Sequence, residues 1–136
     1  MAEVEFIDIS GEMHSGERGF AFFPWQGRLH DPPEVLRTCH LVSFEPGRSR
    51  GHHLHPGHEE WLYLFHGQGV LVWEAAGQIR ERLVTGGRTL IRIPPGVAHA
   101  VTNPGPEILY LLAWRQAAGG GPMEPETVSR LVHSGP

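Results

Sequence analysis

Short apolar runs alternate along the chain with segments rich in glycine and proline. The runs are rich in Val, Ile, Leu, Phe, Tyr and Trp, and they end at clusters such as Pro94-Pro95-Gly96, which is typical of β-strands joined by turns. This pattern predicts strands over residues 19–25, 35–45, 52–55, 60–66, 69–75, 78–84, 89–93, 99–102 and 108–115. The chain is therefore expected to be all-β, with its strands arranged as a sandwich or a barrel.

The last part of the chain has a different composition. Three glycines at 119–121 precede Pro122, which predicts a flexible break. Pro125 is expected to begin a short helix that places Val128, Leu131 and Val132 on one face. Because 136 residues suffice for one domain, we predict a barrel domain over residues 1–118. Residues 119–136 then form a tail that packs on the barrel or stays mobile.

Charge and composition exclude several classes of protein. The chain has 15 acidic and 11 basic side chains, so no positive field attracts nucleic acid. Its longest apolar run, residues 108–114, is far shorter than the roughly 20 residues that span a bilayer, so no membrane contact is expected. Cys39 is the only cysteine and forms no internal disulfide, which favours a cytoplasmic location.

Strand 61–65 is apolar at every position. Side chains alternate between the two faces of a strand, so both faces of this strand need an apolar cover. One face is expected to meet the core, and the other a second sheet or a second subunit. A homodimer is the simpler explanation.

Histidine is the most unusual feature of the composition, with 10 copies, five of them between residues 52 and 66. His53 and His55 are two residues apart in an extended segment, so both side chains point to the same face. Glu60 begins the next strand and shares a face with Leu62 and Leu64, where a carboxylate is costly unless it is paired or bound to a cation. His99 follows a turn and can supply a fourth ligand.

Two motifs in this region resemble a known family. Residues 47–67 read G(X)5HXH(X)4E(X)6G, and residues 94–103 read PXG(X)2H(X)3N. They resemble, in the same order, the two signatures of the cupin superfamily, and the chain is similar to small single-domain metal-binding cupins of the conserved-barrel, cupin 2 type. This resemblance implies a double-stranded β-helix, or jelly-roll, barrel. It also implies that one divalent metal is bound inside the barrel by His53, His55, Glu60 and His99.

One position departs from the second signature. Six residues separate Gly87 from Pro94, where the family usually has five, and Arg88 occupies the expected glycine position. Because the part of the motif that carries His99 is intact, we expect a β-bulge here rather than loss of the site.

Several neighbouring residues compete for the ligand roles. Glu59 is the alternative carboxylate, but it would leave seven residues before Gly67 instead of six, so Glu60 is preferred. His52 is turned away from His53 by the pleat of the strand. It is expected to be solvated, as are His58 and His66.

The function is less well defined than the metal site. Three imidazoles and one carboxylate suit Fe, Mn, Ni, Co, Cu or Zn and leave positions open for substrate. The chain is expected to bind a small oxygen-rich molecule, as a metal-dependent dioxygenase, decarboxylase or isomerase. The alternative is a non-catalytic cupin that binds a sugar or another small molecule. Candidate polar groups around the metal are Tyr63, Arg92, His40, Tyr110, Arg48 and Arg50, each with a structural role as its plain alternative.

Overall fold

A computed structural model describes residues 3–117 and 127–132. The strands in chain order are β1 (Glu5–Asp8), β2 (His14–Gly16), β3 (Gly19–Ala21), β4 (His40–Phe44), β5 (Ser49–Leu54), β6 (His58–His66), β7 (Gln68–Ala75), β8 (Gln78–Thr85), β9 (Thr89–Ile93), β10 (His99–Thr102), β11 (Leu109–Ala117) and β12 (Val128–Ser129). A 3-10 turn spans Ser10–Glu12, and one α-helix, α1, spans Pro32–Thr38. The chain is thus nearly all β in its described part.

Two five-stranded antiparallel sheets form the body of the domain. The first sheet has the order β1-β9-β6-β11-β4, and the second has the order β12-β5-β10-β7-β8. Strands that follow one another in the chain often lie in different sheets, so the chain crosses repeatedly between the two layers. This arrangement is the jelly roll that the sequence resemblance implies.

The barrel core lies between the two sheets. It takes Leu62 and Leu64 from β6, Leu71 from β7, Ile91 from β9 and Leu111 from β11, all buried. These residues alternate along their strands with residues that face the other way, as the period of a strand requires. Burial of each such side chain contributes about 1.5–3 kcal/mol to folding.

The second face of β6 is covered by the chain's own N-terminal region. Trp61 stacks on Trp114 of β11 with ring centroids 6.1 Å apart, and Trp25 packs edge-on against Trp114 at 5.8 Å. Phe22 packs on Tyr63 at 5.1 Å. We call this layer the outer cluster. It removes the reason for which a homodimer was predicted, and the dimer stays a prediction.

Two predicted strands are shorter than expected. Residues 35–38 belong to α1, because Asp31 precedes Pro32 and Pro33, and prolines in the first turn favour a helix start. Residues 22–25 are not a strand, because the chain turns there and the amide of Gln26 donates to the carbonyl of Phe23.

The helix predicted near the C-terminus is wrong over the described residues. Val128 and Ser129 instead form β12, which pairs antiparallel with Leu54 and His53 of β5. The exposed edge of β5 offers unpaired backbone groups, and pairing with them outweighs the local helical pattern. Predicted positions 119–126 lie outside the described residues, and the domain boundary at residue 118 stays a prediction.

The expected bulge near Gly87 is also wrong. β9 pairs with β6 without a register shift from Glu60 to Tyr63. The additional residue is accommodated in the β8–β9 turn, where Gly87 has a φ of 107° and its amide donates to the carbonyl of Leu64 at 2.7 Å. Within residues 3–117 and 127–132, no helix has the length and apolar character needed to cross a bilayer.

Candidate metal centre

Four polar side chains meet between the two sheets. His53 and His55 come from β5, with His55 just beyond its end, and His99 begins β10. Glu60 comes from β6, the central strand of the opposite sheet. The backbone positions of His53 and His99 are paired across β5 and β10, which brings their side chains to the same place. The two sheets therefore place three imidazoles beside one carboxylate.

The donor atoms of these four residues lie within 4.8 Å of one another. Nε2 of His99 is 2.7 Å from Oε1 of Glu60, and Nε2 of His55 is 3.0 Å from Oε2. Nε2 of His53 is 3.8 Å from Oε1 of Glu60. His55 and His99 are almost fully buried, whereas about a quarter of the His53 side chain is exposed, at 26%. The site is therefore reached from the side of His53.

The second nitrogen of two imidazoles is held by another group. Nδ1 of His99 is 2.9 Å from the carbonyl of Val97, to which it donates. Nδ1 of His55 is 3.3 Å from the hydroxyl of Thr127. Such contacts fix the ring orientation and direct Nε2 at the metal in known metal sites. The donor set of three Nε2 atoms and one carboxylate thus fits a divalent transition metal.

The pKa of Glu60 is held well below its ordinary value. Burial by itself would raise this pKa, because it disfavours the charged form. The contacts from His53, His55 and His99 act in the opposite direction and outweigh burial. Glu60 is therefore a carboxylate at neutral pH, which is the form that binds a cation.

A β-bulge in β5 sets the direction of His53. His53 pairs with His99 and Gly51 pairs with Ala100, so His52 is an additional residue in β5. Its φ is 53°, in the left-handed region that few non-glycine residues adopt. At Gly51, with a φ of 105°, a Cβ would lie 3.1 Å from the carbonyl oxygen of His99. Close approach of β5 to β10 therefore requires glycine here.

The outer residues of the two motifs connect them to each other. The amide of Gly47 donates to the carbonyl of Asn103 at 2.8 Å, and the amide of Asn103 donates to the carbonyl of Arg48 at 2.9 Å. The fully buried Asn103 side chain donates to the carbonyl of Phe44. Gly67 has a φ of 87°, and a Cβ there would lie 2.8 Å from a backbone oxygen. These residues hold the turns in place and are not part of the four-residue cluster.

A cavity of about 160 Å³ adjoins the four-residue cluster. His53, Glu60 and His99 line it on one side. Two further polar residues, His40 and Arg50, also line it. The rest of the wall is mostly apolar and includes Val42, Phe44, Leu62, Val101, Leu111 and Ala113. The volume is below the 300–1,000 Å³ of typical drug-sized sites, so the cavity suits a small molecule.

Two of the six candidate polar residues lie in this cavity. Nδ1 of His40 is 2.7 Å from the carbonyl of Thr38, and Arg50 lies 5.8 Å from the centre of the Phe44 ring. Their side chains line the same space as the donor atoms of the cluster. Arg50 and His40 are therefore available to a molecule bound beside the four-residue cluster.

The structure does not bring the other candidates to the cavity. The hydroxyl of Tyr63 donates to the carbonyl of Gly87, and Arg92 donates to Glu59 on the outer face. Tyr110 stacks on Phe65, and Arg48 is exposed near a turn. These four residues have structural or surface positions.

The competing ligand residues also lie away from the cluster. Glu59 is buried on the opposite face of β6, with Oε2 2.6 Å from Nε of Arg92. His58 lies 3.4 Å from Glu34, and His66 is exposed near Glu107. His52 is occupied by contacts with Ser49 and Val132.

Thr127 is a residue of the site that the sequence did not indicate. It lies 72 positions from His55 along the chain, and no motif joins the two. Only the pairing of β12 with β5 brings its hydroxyl to the imidazole.

Comparison with solved structures supports the jelly-roll fold. A capsular polysaccharide assembling protein, CapF from Staphylococcus aureus, is 25% identical with a TM-score of 0.59 over 69% of this chain, which spans only 26% of the CapF chain. A 3,4-ketoisomerase from Helicobacter canadensis is 14% identical with a TM-score of 0.70, over 94% of this chain and 91% of that one. An oxalate oxidase is 24% identical with a TM-score of 0.53, over 58% and 41% of the two chains.

The low identities to the ketoisomerase and the oxidase establish a shared fold alone. No curated protein sequence matches this chain. The cupin domain family matches residues 40–115, which contain both motifs and all four residues of the cluster. This match covers more than half of the 136 residues, and the chain therefore belongs to the cupin domain family.

Proposed function

We propose that this chain is a metal-dependent enzyme that acts on a small, oxygen-bearing organic acid. One observation carries the proposal: Arg50 lines the same cavity as His53, Glu60 and His99, and its guanidinium carbon lies 5.8 Å from the centre of the Phe44 ring in the cavity wall. A ligand held there can offer oxygen atoms to a divalent metal bound by the cluster and an anionic group to Arg50. The mostly apolar lining lowers the local dielectric constant and so strengthens both contacts.

The chain's own residues have distinct roles in this proposal. His53, His55, Glu60 and His99 would hold the metal, which would supply a Lewis acid or a redox centre. Arg50 orients the anionic group, and Leu62 and Leu111 limit the size of the substrate. Oxygenation and decarboxylation need no protein base, and both agree with this set of residues.

His40 favours isomerisation as a second candidate reaction. In the neutral ring, Nδ1 donates to the carbonyl of Thr38, so Nε2 has no proton and can accept one. Among the described residues that line the cavity, His40 is the one imidazole outside the proposed ligand set. Loss of turnover in His40→Gln, with metal retained, would support proton transfer by this residue. Unchanged turnover would favour oxygenation or decarboxylation.

The test begins with the metal. Elemental analysis of untagged protein, purified without nickel or chelator, should find about one equivalent of one metal. His53→Ala and His99→Ala should lose it, and His66→Ala, which removes an exposed histidine, should retain it. Absence of metal, in protein that also takes up none of Fe, Mn, Ni or Zn, would contradict the proposal.

Turnover then separates an enzyme from a binding protein. The loaded protein is incubated with small hydroxy, keto and dicarboxylic acids, in air and without oxygen, and products are measured by mass spectrometry. Product formation that is lost in His99→Ala supports the enzyme. Saturable binding of an acid without product would instead support the non-catalytic cupin.

The homodimer and the cytoplasmic location belong to the same proposal. The two most exposed large apolar side chains among the described residues, Leu36 at 77% and Leu41 at 72%, lie on α1 and on β4. β4 is an edge strand of its sheet, and unpaired edges offer backbone groups for a second chain. These features support association through β4.

A further inference from the structure

The strand that carries His53 and His55 has the C-terminal segment, residues 127–132, as its neighbour. β5 is bordered by β10 on one side and by β12 on the other. Val128 pairs with Leu54, and Ser129 pairs with His53 itself. Without the C-terminal segment, β5 would be an edge strand, and its backbone would be open to water on the side away from His99.

The C-terminal segment also holds the bulge that directs His53. The amide of Arg130 donates to the carbonyl of His52 at 2.8 Å, and the amide of Val132 donates to its Nδ1 at 3.1 Å. Because Nδ1 accepts, Nε2 of the neutral ring carries the proton and donates to the hydroxyl of Ser49, 3.0 Å away. The C-terminal segment therefore holds His52 twice, through its backbone carbonyl and through its imidazole ring.

A third contact of the C-terminal segment reaches His55. The hydroxyl of Thr127 lies 3.3 Å from Nδ1 of His55, whose Nε2 faces Glu60. His55 is almost fully buried, so the ring has little water with which to replace this contact. The C-terminal segment thus contacts His52 and His55, on either side of His53. Its contact to His55 directly restricts the orientation of that imidazole ring.

The segment is anchored to the barrel away from the cluster. Val132 is 2% exposed and packs with Val72, Ala98 and Ala100 of the second sheet and its preceding turn. Arg130 forms an ion pair with Glu74 of β7 at 2.9 Å. Leu131, between them, is 66% exposed and makes no part of this anchor.

We propose that the C-terminal segment is a positioning element that sets the metal affinity of the site, with Val132 as its anchor and Thr127 as its contact to His55. This inference rests on the proposed metal centre. When a residue that hydrogen-bonds to a metal ligand and fixes its orientation is removed, metal affinity typically falls by about 10- to 100-fold. Because binding linkage is reciprocal, an ion at the cluster must in turn strengthen the docking of the C-terminal segment on β5.

Matched variants of the full chain test the affinity. Val132→Asp places a charge in the anchor, whereas Leu131→Asp places the same charge on the exposed neighbour. Competition for Zn²⁺ with a chromophoric chelator should show affinity about 10-fold or more weaker in Val132→Asp and unchanged in Leu131→Asp. Thr127→Val should also weaken Zn²⁺ binding, because it removes the hydroxyl that contacts His55. Ser129→Ala should not, because Ser129 pairs with His53 through its backbone, which the substitution leaves unchanged.

Hydrogen exchange tests the reciprocal effect. The amides of Arg130 and Val132 should exchange more slowly when Zn²⁺ is added to the unaltered chain, and this protection should be lost in His53→Ala. If circular dichroism shows that Val132→Asp is unfolded, Arg130→Gln is used in its place, because it removes only the ion pair with Glu74.

The outcomes separate the two proposals. Equal Zn²⁺ affinity in Val132→Asp and Leu131→Asp, with binding intact in the unaltered chain, overturns this inference and leaves the metal centre standing. Failure of the unaltered chain to bind any metal overturns both. Weaker binding in Val132→Asp and Thr127→Val, together with Zn²⁺-dependent protection of the segment, supports the inference.

Discussion

Glu59 and Glu60 are neighbours in β6, yet their carboxylates lie on opposite faces of the sheet. Glu60 faces the barrel interior, with its oxygens 2.7 Å and 3.0 Å from Nε2 of His99 and His55. Glu59 faces the outer cluster, where it accepts from Arg92 at 2.6 Å and from the indole of Trp61 at 3.1 Å. Both carboxylates are buried, so each depends on its own set of partners.

This division predicts opposite effects of two identical substitutions. Glu60→Gln should abolish or strongly weaken metal binding and leave the fold intact, because Leu62 and Leu64 still pack in the core. Glu59→Gln should leave metal content unchanged and lower the free energy of unfolding by roughly 1–3 kcal/mol, because Arg92 loses a charged acceptor. Metal analysis and urea unfolding of both variants measure the two effects.

The reverse result would be decisive against the ligand assignment. Loss of metal in Glu59→Gln, with metal retained in Glu60→Gln, would mean that the carboxylate of the site is Glu59. Loss in both would mean that metal content follows overall stability instead of coordination.

Arg50 provides the second prediction, on ligand binding. Arg50→Gln should weaken binding of a small carboxylic acid by about 10- to 100-fold, because it removes a charge-assisted contact in a cavity with mostly apolar walls. Arg48→Gln is the matched control, because Arg48 carries the same charge two positions away and does not line the cavity. Calorimetric titration of the metal-loaded variants measures both. Equal losses would point to a general effect of positive charge near the cavity.

Cys39 provides a pH-dependent prediction. Burial raises the pKa of this thiol above its ordinary value. The thiolate is the reactive form, so alkylation by iodoacetamide should be slower at pH 7 than for a free thiol. The rate should rise with pH, with its midpoint above the usual value of about 8.5. Protein unfolded in urea should regain the ordinary profile, and fast reaction of the folded chain at pH 7 would contradict this account.

The proposed association through β4 gives a fourth prediction. Leu41→Glu should convert a dimer into a monomer in light scattering coupled to size exclusion, because it places a charge on the exposed face of that edge strand. Leu83→Glu, on the edge strand β8 of the other sheet, should leave the mass unchanged. A monomeric unaltered chain would contradict the dimer itself.

Sequence patterns are most informative where local spacing decides the structure. His53 and His55 share a face because strand side chains alternate, and the Glu60 position follows from its strand and from Gly67. The structure places these residues together with His99, as the spacing and the family resemblance predict. The strand over Thr89–Ile93 was also predicted with its observed bounds.

Features that depend on distant partners were not predictable in the same way. β12 is a strand only because β5 offers an open edge, and its residues alone have a helical pattern. Tyr63 and Arg92 were candidates for the site because polar residues near a metal motif are plausible neighbours. Their true position depends on the N-terminal region, whose irregular path over β6 has no period that a sequence pattern can reveal.

The position of β6 between two separate apolar layers has a consequence for how this protein can change. Leu62 borders the cavity, while its neighbours Trp61 and Tyr63 belong only to the outer cluster. A substitution at Leu62 can therefore alter the shape offered to a ligand while the aromatic layer behind it keeps the strand in place. New ligand preferences are thus accessible, by natural drift or by laboratory selection, through single changes that leave the supporting layer intact.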